Sequence, residues 1–178
     1  ISRLFNINPI LIEFINSKLL FNKNISIKNS ITVNSNEKNE IFQNAKINFN
    51  IVNGEINIDN TRFVNESIGL LELSNSNLLF KNNNLVLNTN ILFKIRNSDN
   101  LFSFLNTNKQ SRKEIKNILI NLDYNFLKNE IKFNNIKINN EEVSGQFLNI
   151  IEGFSDNNLN NLNKSRRLLN ELLNVYEG

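Results

Sequence analysis

The 178-residue chain contains no cysteine, histidine, methionine or tryptophan, and this absence excludes several kinds of site. Without cysteine and histidine, the chain lacks the usual ligands of structural zinc, the thiol nucleophile and the base of a Ser-His-Asp triad. Haem ligation through His, Cys or Met is excluded in the same way. We therefore expect no metal site and no cofactor.

Proline occurs once and glycine five times, whereas asparagine makes up roughly a quarter of the residues, far above its ordinary usage. These asparagines alternate with Ile, Leu and Phe in regular patterns, which indicates strands rather than disorder. Asn, Lys, Ile and Phe all have A/T-rich codons. A genome of low G+C content therefore explains the composition without any functional demand.

Charge of neither sign is concentrated, because 20 basic and 17 acidic residues are spread along the chain. A nucleic-acid-binding domain carries its basic residues in a patch or stripe. The nearest candidate is the short run KQSRK at 109–113, which we interpret as a solvated loop. We expect no nucleic-acid partner.

Alternating apolar and polar residues predict β-hairpins. In KINFNIVNGEINID (46–59), an Asn-Gly pair typical of a two-residue type I′ turn separates two alternating runs. This turn would pair Ile51 with Ile56 and Phe49 with Ile58. Apolar residues would then meet on one face, and a one-residue slip would lose that agreement.

Further strands follow from the same alternation. The first is a half-buried strand with Ile25, Ile27, Ile31 and Val33. Two short strands, 68–73 and 77–80, are separated by the turn-like segment SNSN. Two long strands each have one apolar side, formed by Leu85, Leu87, Ile91, Phe93 and Ile95 and by Ile118, Ile120, Leu122, Tyr124 and Phe126.

A Lys-Asn pair after the last of these strands predicts a second two-residue hairpin. It would place Phe126 opposite Ile131 and Tyr124 opposite Phe133, again with apolar residues facing each other. The apolar positions change parity at 134–135, which predicts a β-bulge there.

Helical spacing replaces alternation in two places. Ser98-Asp99 is predicted to cap the short helix DNLFSFLN. The tail carries two amphipathic patterns: Val143, Phe147, Ile150, Ile151 and Phe154, then Leu162, Leu168, Leu169, Leu172, Leu173 and Tyr176. The predicted fold class is thus mainly β. An antiparallel meander (1–139) would form a long curled sheet with one short internal helix, followed by a C-terminal helical cap (140–178).

Paired carboxylates are the remaining catalytic option, and Glu141 with Glu142 is the candidate pair. We place both at the start of a predicted helix, where acidic residues favour the helix dipole for structural reasons. Neighbouring helix positions do not face each other, so the pair suits acid–base catalysis poorly. We expect no enzymatic activity.

The apolar face of the sheet leaves two interpretations open. The helices or a second sheet fill it as a core, or part of it stays a groove for acyl chains. Strands of about 12 residues are roughly 40 Å long, and two short helices cannot easily cover several of them. Each CH₂ buried in such a groove is worth about 0.8 kcal/mol.

From Ile47 onward, the chain resembles the C-terminal region of AsmA-like proteins of the bacterial envelope, in particular those of alphaproteobacteria. The segments that carry the resemblance are INFNIVNGEINIDNTRF (47–63), IGLLELSNSNLLFKNNNLVLNTNILFKI (68–95), LFSFLN (101–106), ILINLDYNFLKNEIKFNNIKIN (118–139) and SRRLLNELLNVYEG (165–178). They are an ordered set of strand and helix patterns without a catalytic signature.

The resemblance implies a periplasmic protein held in the inner membrane by one N-terminal helix. Because the chain begins with Ile1 and not Met, we expect that anchor to lie ahead of it in a longer protein. The implied role is the binding or transfer of phospholipid toward the outer membrane. The implied lipid-groove residues are Phe49, Ile51, Ile56, Ile58, Leu85, Leu87, Ile91, Phe93, Ile95, Ile118, Ile120, Leu122, Tyr124 and Phe126.

A second function remains open beside lipid binding. A structural or assembly protein of outer-membrane biogenesis would have a filled core and would act through protein contacts at a sheet edge.

Overall fold

The computed structural model describes residue 13 and residues 17–35, 42–128, 130–153 and 162–176, which form one antiparallel sheet of nine strands and three helices. The strands are β1 (Ile27–Asn34), β2 (Asn44–Val52), β3 (Glu55–Asn57), β4 (Arg62–Asn65), β5 (Gly69–Lys81), β6 (Asn84–Ile95), β7 (Asn117–Asn125), β8 (Glu130–Ile138) and β9 (Glu141–Glu142). The helices are α1 (Ser98–Leu105), α2 (Gly145–Gly153) and α3 (Leu162–Asn174).

The strands cross the sheet in chain order, which confirms the predicted meander. The order is β1-β2-β3-β5-β6-β7-β8-β9, and the short strand β4 pairs with both β2 and β5. The longest strands, β5 and β6, pair over most of their length, and β7 extends the sheet on the other side of β6. These three strands form the centre of the sheet.

The first hairpin has the predicted turn and, near the turn, the predicted register. Both residues of its Asn-Gly pair have positive φ (52° and 76°), as a type I′ turn requires. Ile51 pairs with Ile56. The predicted pairing of Phe49 with Ile58 does not form, because β3 ends one residue earlier and the Ile58 amide donates to the carbonyl of Ser76 on β5 (2.9 Å).

Asparagine supplies most of the left-handed backbone positions. Two further two-residue turns consist of asparagine alone, at 82–83 between β5 and β6 and at 139–140 between β8 and β9. Asparagine tolerates positive φ better than other side chains because its short amide hydrogen-bonds locally. The described asparagines with positive φ are Asn53, Asn60, Asn75, Asn82, Asn83, Asn106, Asn139 and Asn140.

The prediction of two short strands around the SNSN segment is wrong. One strand, β5, runs from Gly69 to Lys81, and its register with β6 shifts between Ser74 and Asn77. Asn75 adopts a φ of 49°. The polar segment therefore forms a β-bulge, which bends the strand but keeps it in the sheet.

The β7–β8 hairpin is wider than predicted. Tyr124 pairs with Ile131 rather than with Phe133, and Phe126 lies in the turn. The Asn125 side chain accepts hydrogen bonds from the amides two and three residues later, both at 3.1 Å. This Asx turn encloses more residues than the type I′ turn we predicted. The shift is two residues, so apolar residues still meet on one face.

The predicted bulge in β8 is confirmed, but the chain after β8 does not become helical at once. The register skips Asn134, between the pairs that Asn135 and Phe133 form with β7. Glu141 and Glu142 form strand β9 and pair with the end of β8. Their predicted place at a helix start is wrong, since the 139–140 turn folds them back onto the sheet.

Helix α1 is confirmed, with its cap one residue earlier than predicted. The side chain of Asn97 accepts a hydrogen bond from the Asn100 amide (2.9 Å) and is the N-cap. The Ser98 hydroxyl instead donates to the carbonyl of Ile115 (2.9 Å) and so ties the helix to the segment before β7. Asp99 lies in the first turn, where its charge favours the dipole.

Helices α2 and α3 confirm the helical periodicity of the tail. Their buried residues are Phe147, Ile151, Leu168, Leu172 and Leu173. The predicted helical position Phe154 lies outside the described residues, as does most of the segment before Ser17. The predicted pair of Arg167 and Glu171 forms on α3, with 2.8 Å between Nε and Oε1.

Strand β1 exists as predicted, but its burial does not follow the prediction. Ile27 and Ile31 are 43% and 49% exposed, although both lie on the apolar side through their pairing with β2. Within the described part, no β1 residue belongs to a hydrophobic cluster. An edge strand can keep its pairing while its side chains lack a covering element.

Gly54 is the position where the turn of the first hairpin meets the N-terminal segment. A Cβ atom there would lie 2.3 Å from the carbonyl oxygen of Phe21, and φ is +76°. We expect Gly54→Ala to lower the free energy of unfolding by about 2 kcal/mol, measured by urea denaturation. Gly145→Ala is the matched control, because nothing lies within 4 Å of its Cβ position. Equal effects of the two changes would contradict this packing.

Candidate functional site: an apolar face and a cavity under the helices

The twelve predicted groove residues that lie on strands share one face of the sheet because of strand pairing, whereas Ile58 and Phe126 lie just beyond strand ends. Phe93 on β6 pairs with Leu71 on one side and with Ile118 on the other, and Ile118 pairs with Ile138. Directly paired residues project to the same side, so such rows cross the sheet. We call this side the apolar face.

The opposite side is the polar face, and its charges are paired across strands. Glu72 on β5 accepts from Arg62 on β4 at 2.7 Å and lies 3.7 Å from the ammonium of Lys94 on β6. Asp123 on β7 accepts a hydrogen bond from Asn88 on β6 (2.7 Å). These paired charges leave the other side, the apolar face, as the candidate binding surface.

Packing divides the fourteen predicted groove residues into three groups. Six belong to a hairpin cluster near the first hairpin: Phe49, Ile51, Ile56, Leu85, Leu87 and Phe126. Four belong to a helix cluster under α1, α2 and α3: Phe93, Ile95, Ile118 and Ile120. Four lie outside both clusters: Ile58, Ile91, Leu122 and Tyr124.

The hairpin cluster is covered by the chain itself. Leu20, Phe21 and Ile25 pack against it, and the rings of Phe21 and Phe80 meet edge to face with 4.7 Å between centroids. Ile51 is fully buried. At this end the apolar face is a packed core, as the first of the two sequence interpretations expects.

A buried polar pair separates the two clusters. The hydroxyls of Ser76 on β5 and Thr89 on β6 are 2.5 Å apart, and the two residues are 0% and 1% exposed. The Ser76 amide also donates to the Asp59 carboxylate (2.6 Å). Because a buried hydroxyl needs its partner, this pair interrupts the apolar surface along the strands.

An apolar cavity of about 220 Å³ lies in the helix cluster, between the sheet and the three helices. All the described residues that line it are apolar. They are Phe93, Leu101, Leu105, Ile118, Ile120, Phe133, Ile136, Ile138, Phe147, Ile151, Leu168, Leu169, Leu172 and Leu173. Phe93, Ile118 and Ile120 come from the predicted groove; the other residues were missed. The helical stripe of α3 was visible in the sequence, but nothing in it reveals a space between helix and sheet.

Leu169 marks the side where the cavity reaches the surface, because it lines the cavity and is 36% exposed. Arg166 lies one helical turn before it on α3. The guanidinium of Arg166 lies over the Phe104 ring, 4.4 Å from its centroid, and donates to the Phe104 carbonyl at the end of α1. The next residue, Leu105, also lines the cavity. A cation is thus held between α1 and α3 at the rim.

Catalytic chemistry gains no support from the geometry. Glu141 and Glu142 are exposed on β9, and neither lines the cavity. Burial raises the pKa of the Tyr124 hydroxyl, which keeps this phenol neutral at physiological pH. The described part of the chain contains no cluster of acidic side chains placed to hold a metal ion. Its helices are all too short or too polar to cross a membrane.

Comparison of the chain with protein-family models, with curated proteins and with solved structures gave no significant match.

The Ser76–Thr89 pair gives a test of the polar break in the apolar face. Thr89→Val keeps the shape and removes one hydroxyl, which leaves the buried Ser76 hydroxyl with only its bond to the Ser74 carbonyl. We expect a loss of about 1–2 kcal/mol in the free energy of unfolding, measured by urea denaturation. Thr32→Val on the exposed edge strand β1 is the control and should change it by less than about 0.5 kcal/mol. A stabilised Thr89 variant would mean that the pair is not a buried polar contact.

Proposed function

We propose that the chain is a non-enzymatic lipid-binding module whose cavity under α1, α2 and α3 takes one acyl chain of a phospholipid. The observation that carries the proposal is the cavity itself, about 220 Å³ in volume and lined by apolar residues. Such a lining gives a ligand no directional polar contact, so it suits hydrocarbon and not a polar metabolite.

Burial of hydrocarbon in the cavity is favourable. Each CH₂ that moves from water into such an apolar lining gains about 0.8 kcal/mol. The lining offers a hydrocarbon chain apolar contacts throughout.

The volume of the cavity limits the size of the ligand that can enter it. A cavity of about 150 Å³ lined by Leu, Ile and Phe takes a molecule as large as benzene, and pockets for larger ligands span about 300–1,000 Å³. A volume of about 220 Å³ therefore suits part of a single acyl chain. The hairpin cluster is filled by side chains, which supports a site shorter than the fourteen-residue groove of the sequence-based hypothesis.

The cellular setting of the proposal comes from the resemblance to AsmA-like envelope proteins. We propose that the chain acts in the periplasm as part of a longer protein anchored in the inner membrane, where it binds or passes on phospholipid. The mainly β fold with a one-sided apolar sheet agrees with what that resemblance implies.

One observation favours the alternative of an assembly protein. Strand β1 is an edge of the sheet and exposes Ile27 and Ile31 on the apolar side. Edges of this kind accept a strand from a partner. In that case the protein would act through β1, and its helices would close the helix cluster without a ligand.

Native mass spectrometry with lipid extraction separates the two functions. The chain is purified from bacterial membranes and periplasm in mild detergent, and the mass of the intact complex is measured. Co-purified phospholipid at a defined stoichiometry supports lipid binding. A lipid-free protein that unfolds cooperatively and retains a partner at β1 supports assembly and overturns lipid binding.

A cavity-filling substitution tests the site itself. Ile120 on β7 lines the cavity, whereas its neighbour Leu119 points to the polar face of the same strand. We expect Ile120→Trp to weaken binding of a fluorescent fatty acid by at least about tenfold, with no loss of thermal stability, because filling a cavity removes space and improves packing. Leu119→Trp should bind like the unmodified protein.

Leu169→Trp, introduced at the rim, is a second variant should Ile120→Trp not fold. Unchanged fatty-acid binding in a folded cavity-filled variant would show that the acyl chain does not lie in this cavity.

A further inference from the structure

Four cations near the end of α1 lack an acidic partner among the described residues. Within the described residues, Lys109, Arg112, Lys113 and Arg166 have no carboxylate within ion-pair distance, whereas Arg62, Lys94 and Lys137 each have one. Three of the unpaired cations lie in the segment after α1, and Arg166 reaches the same end of α1 from α3. The same segment also contains Glu114 and Lys116, which lie 3.8 Å apart as an ion pair. A net positive charge therefore lies near the C-terminal end of α1.

Two of these cations are held in place rather than left mobile. Arg112 donates from Nε and Nη2 to the carbonyl of Thr107, both at 3.2 Å, and lies over the Phe102 ring. Arg166 is held by the carbonyl and the ring of Phe104. Each contact uses part of a guanidinium that has five N–H donors. Donors remain on both side chains for an anion.

Arg166 is the cation that lies next to the opening of the cavity. Residues three apart on a helix are neighbours on its surface, with about 5–6 Å between Cβ atoms. Leu169, which lines the cavity and is partly exposed, is therefore the neighbour of Arg166 on α3. On α1, the Arg166 contact Phe104 directly precedes the lining residue Leu105.

Resting on the proposed lipid-binding function, we propose that the cavity selects amphiphiles with an anionic head group, a phosphate or a carboxylate, which Arg166 binds at the rim. The hydrocarbon supplies affinity through burial. The guanidinium supplies selectivity through charge-assisted hydrogen bonds. Lys109, Arg112 and Lys113 follow α1 directly in the chain and add positive charge near the same end of this helix, which favours the approach of an anion.

A purely structural role for Arg166 predicts a different effect of its removal on amphiphile binding than a head-group role does. Cations at a helix C-terminus stabilise the helix dipole and its last carbonyls, and Arg166 does this for α1. Loss of that role would loosen the rim and weaken binding of all amphiphiles equally. Loss of a head-group role weakens binding of anionic amphiphiles more than binding of neutral ones.

The test compares three probes on the delipidated protein by isothermal calorimetry: dodecyl phosphate, 1-dodecanol and inorganic phosphate. Arg166→Gln removes the charge, and Arg167→Gln is the matched control, because Arg167 is the next residue and is paired with Glu171. We expect the unmodified protein to bind dodecyl phosphate about tenfold or more tightly than dodecanol. Arg166→Gln should abolish this difference: a loosened rim lowers both affinities alike, whereas the head-group effect appears in their ratio. Arg167→Gln should preserve the difference, and inorganic phosphate at millimolar concentration should not compete.

The other outcomes are distinguishable. Equal binding of dodecyl phosphate and dodecanol, unchanged by Arg166→Gln, overturns the head-group role and leaves the lipid-binding function intact. Equal weakening of both by Arg166→Gln assigns the residue to structure. Competition by inorganic phosphate means a phosphate site independent of the cavity. Absence of binding by both amphiphiles overturns the proposed function itself.

Discussion

Pairing between antiparallel neighbours fixes which side chains share a face, and the rest of the molecule depends on this constraint. The two β-bulges show how strictly it is kept. In β5 the apolar positions change from odd (Leu71) to even (Leu78) along the chain, and in β8 from odd (Phe133) to even (Ile136). The register shifts by one residue at each of these points. Without the bulges, half of each strand would turn its apolar side chains to water.

Features governed by neighbours in the sequence were predictable, and features governed by distant contacts were not. The Asn-Gly turn, the β8 bulge and the C-terminal helices each follow from a local pattern. The prediction of the turn after β7 was wrong because the Asn125 side chain stabilises a wider loop. The alternation of apolar residues could not reveal this, since a two-residue shift leaves it unchanged. Only three of the fourteen predicted groove residues line the cavity, since a cavity depends on how three helices meet the sheet. No local pattern reports that geometry.

The apolar face has two ends with different physical character. Near the first hairpin, Phe21 and its neighbours fill the space between the strands and the N-terminal segment. Under the helices, long aliphatic side chains leave a volume that the sheet and helices together do not fill. The Ser76–Thr89 hydroxyl pair lies between the two ends and keeps them distinct. One sheet face thus has an end filled by side chains and an end that keeps an apolar cavity.

The left-handed asparagines bear on how this sequence tolerates mutational drift. Eight described asparagines have positive φ, the conformation for which glycine is the default residue. The whole chain has only five glycines, so asparagine takes most of these positions. Glycine codons are rich in G and asparagine codons are rich in A, so a genome of low G+C content accounts for asparagine at these turns, where its conformational cost is low. Asn65 belongs to a different population. It is buried and accepts hydrogen bonds from the Ser67 amide, the Ser67 hydroxyl and the Ile68 amide. Asn139 combines the two roles, because it has positive φ and its side chain also accepts from the Lys116 amide and donates to the Glu114 carbonyl. Glycine could replace a turn asparagine whose side chain makes no such contact, whereas Asn65 and Asn139 are held by their side chains whatever the genome's bias.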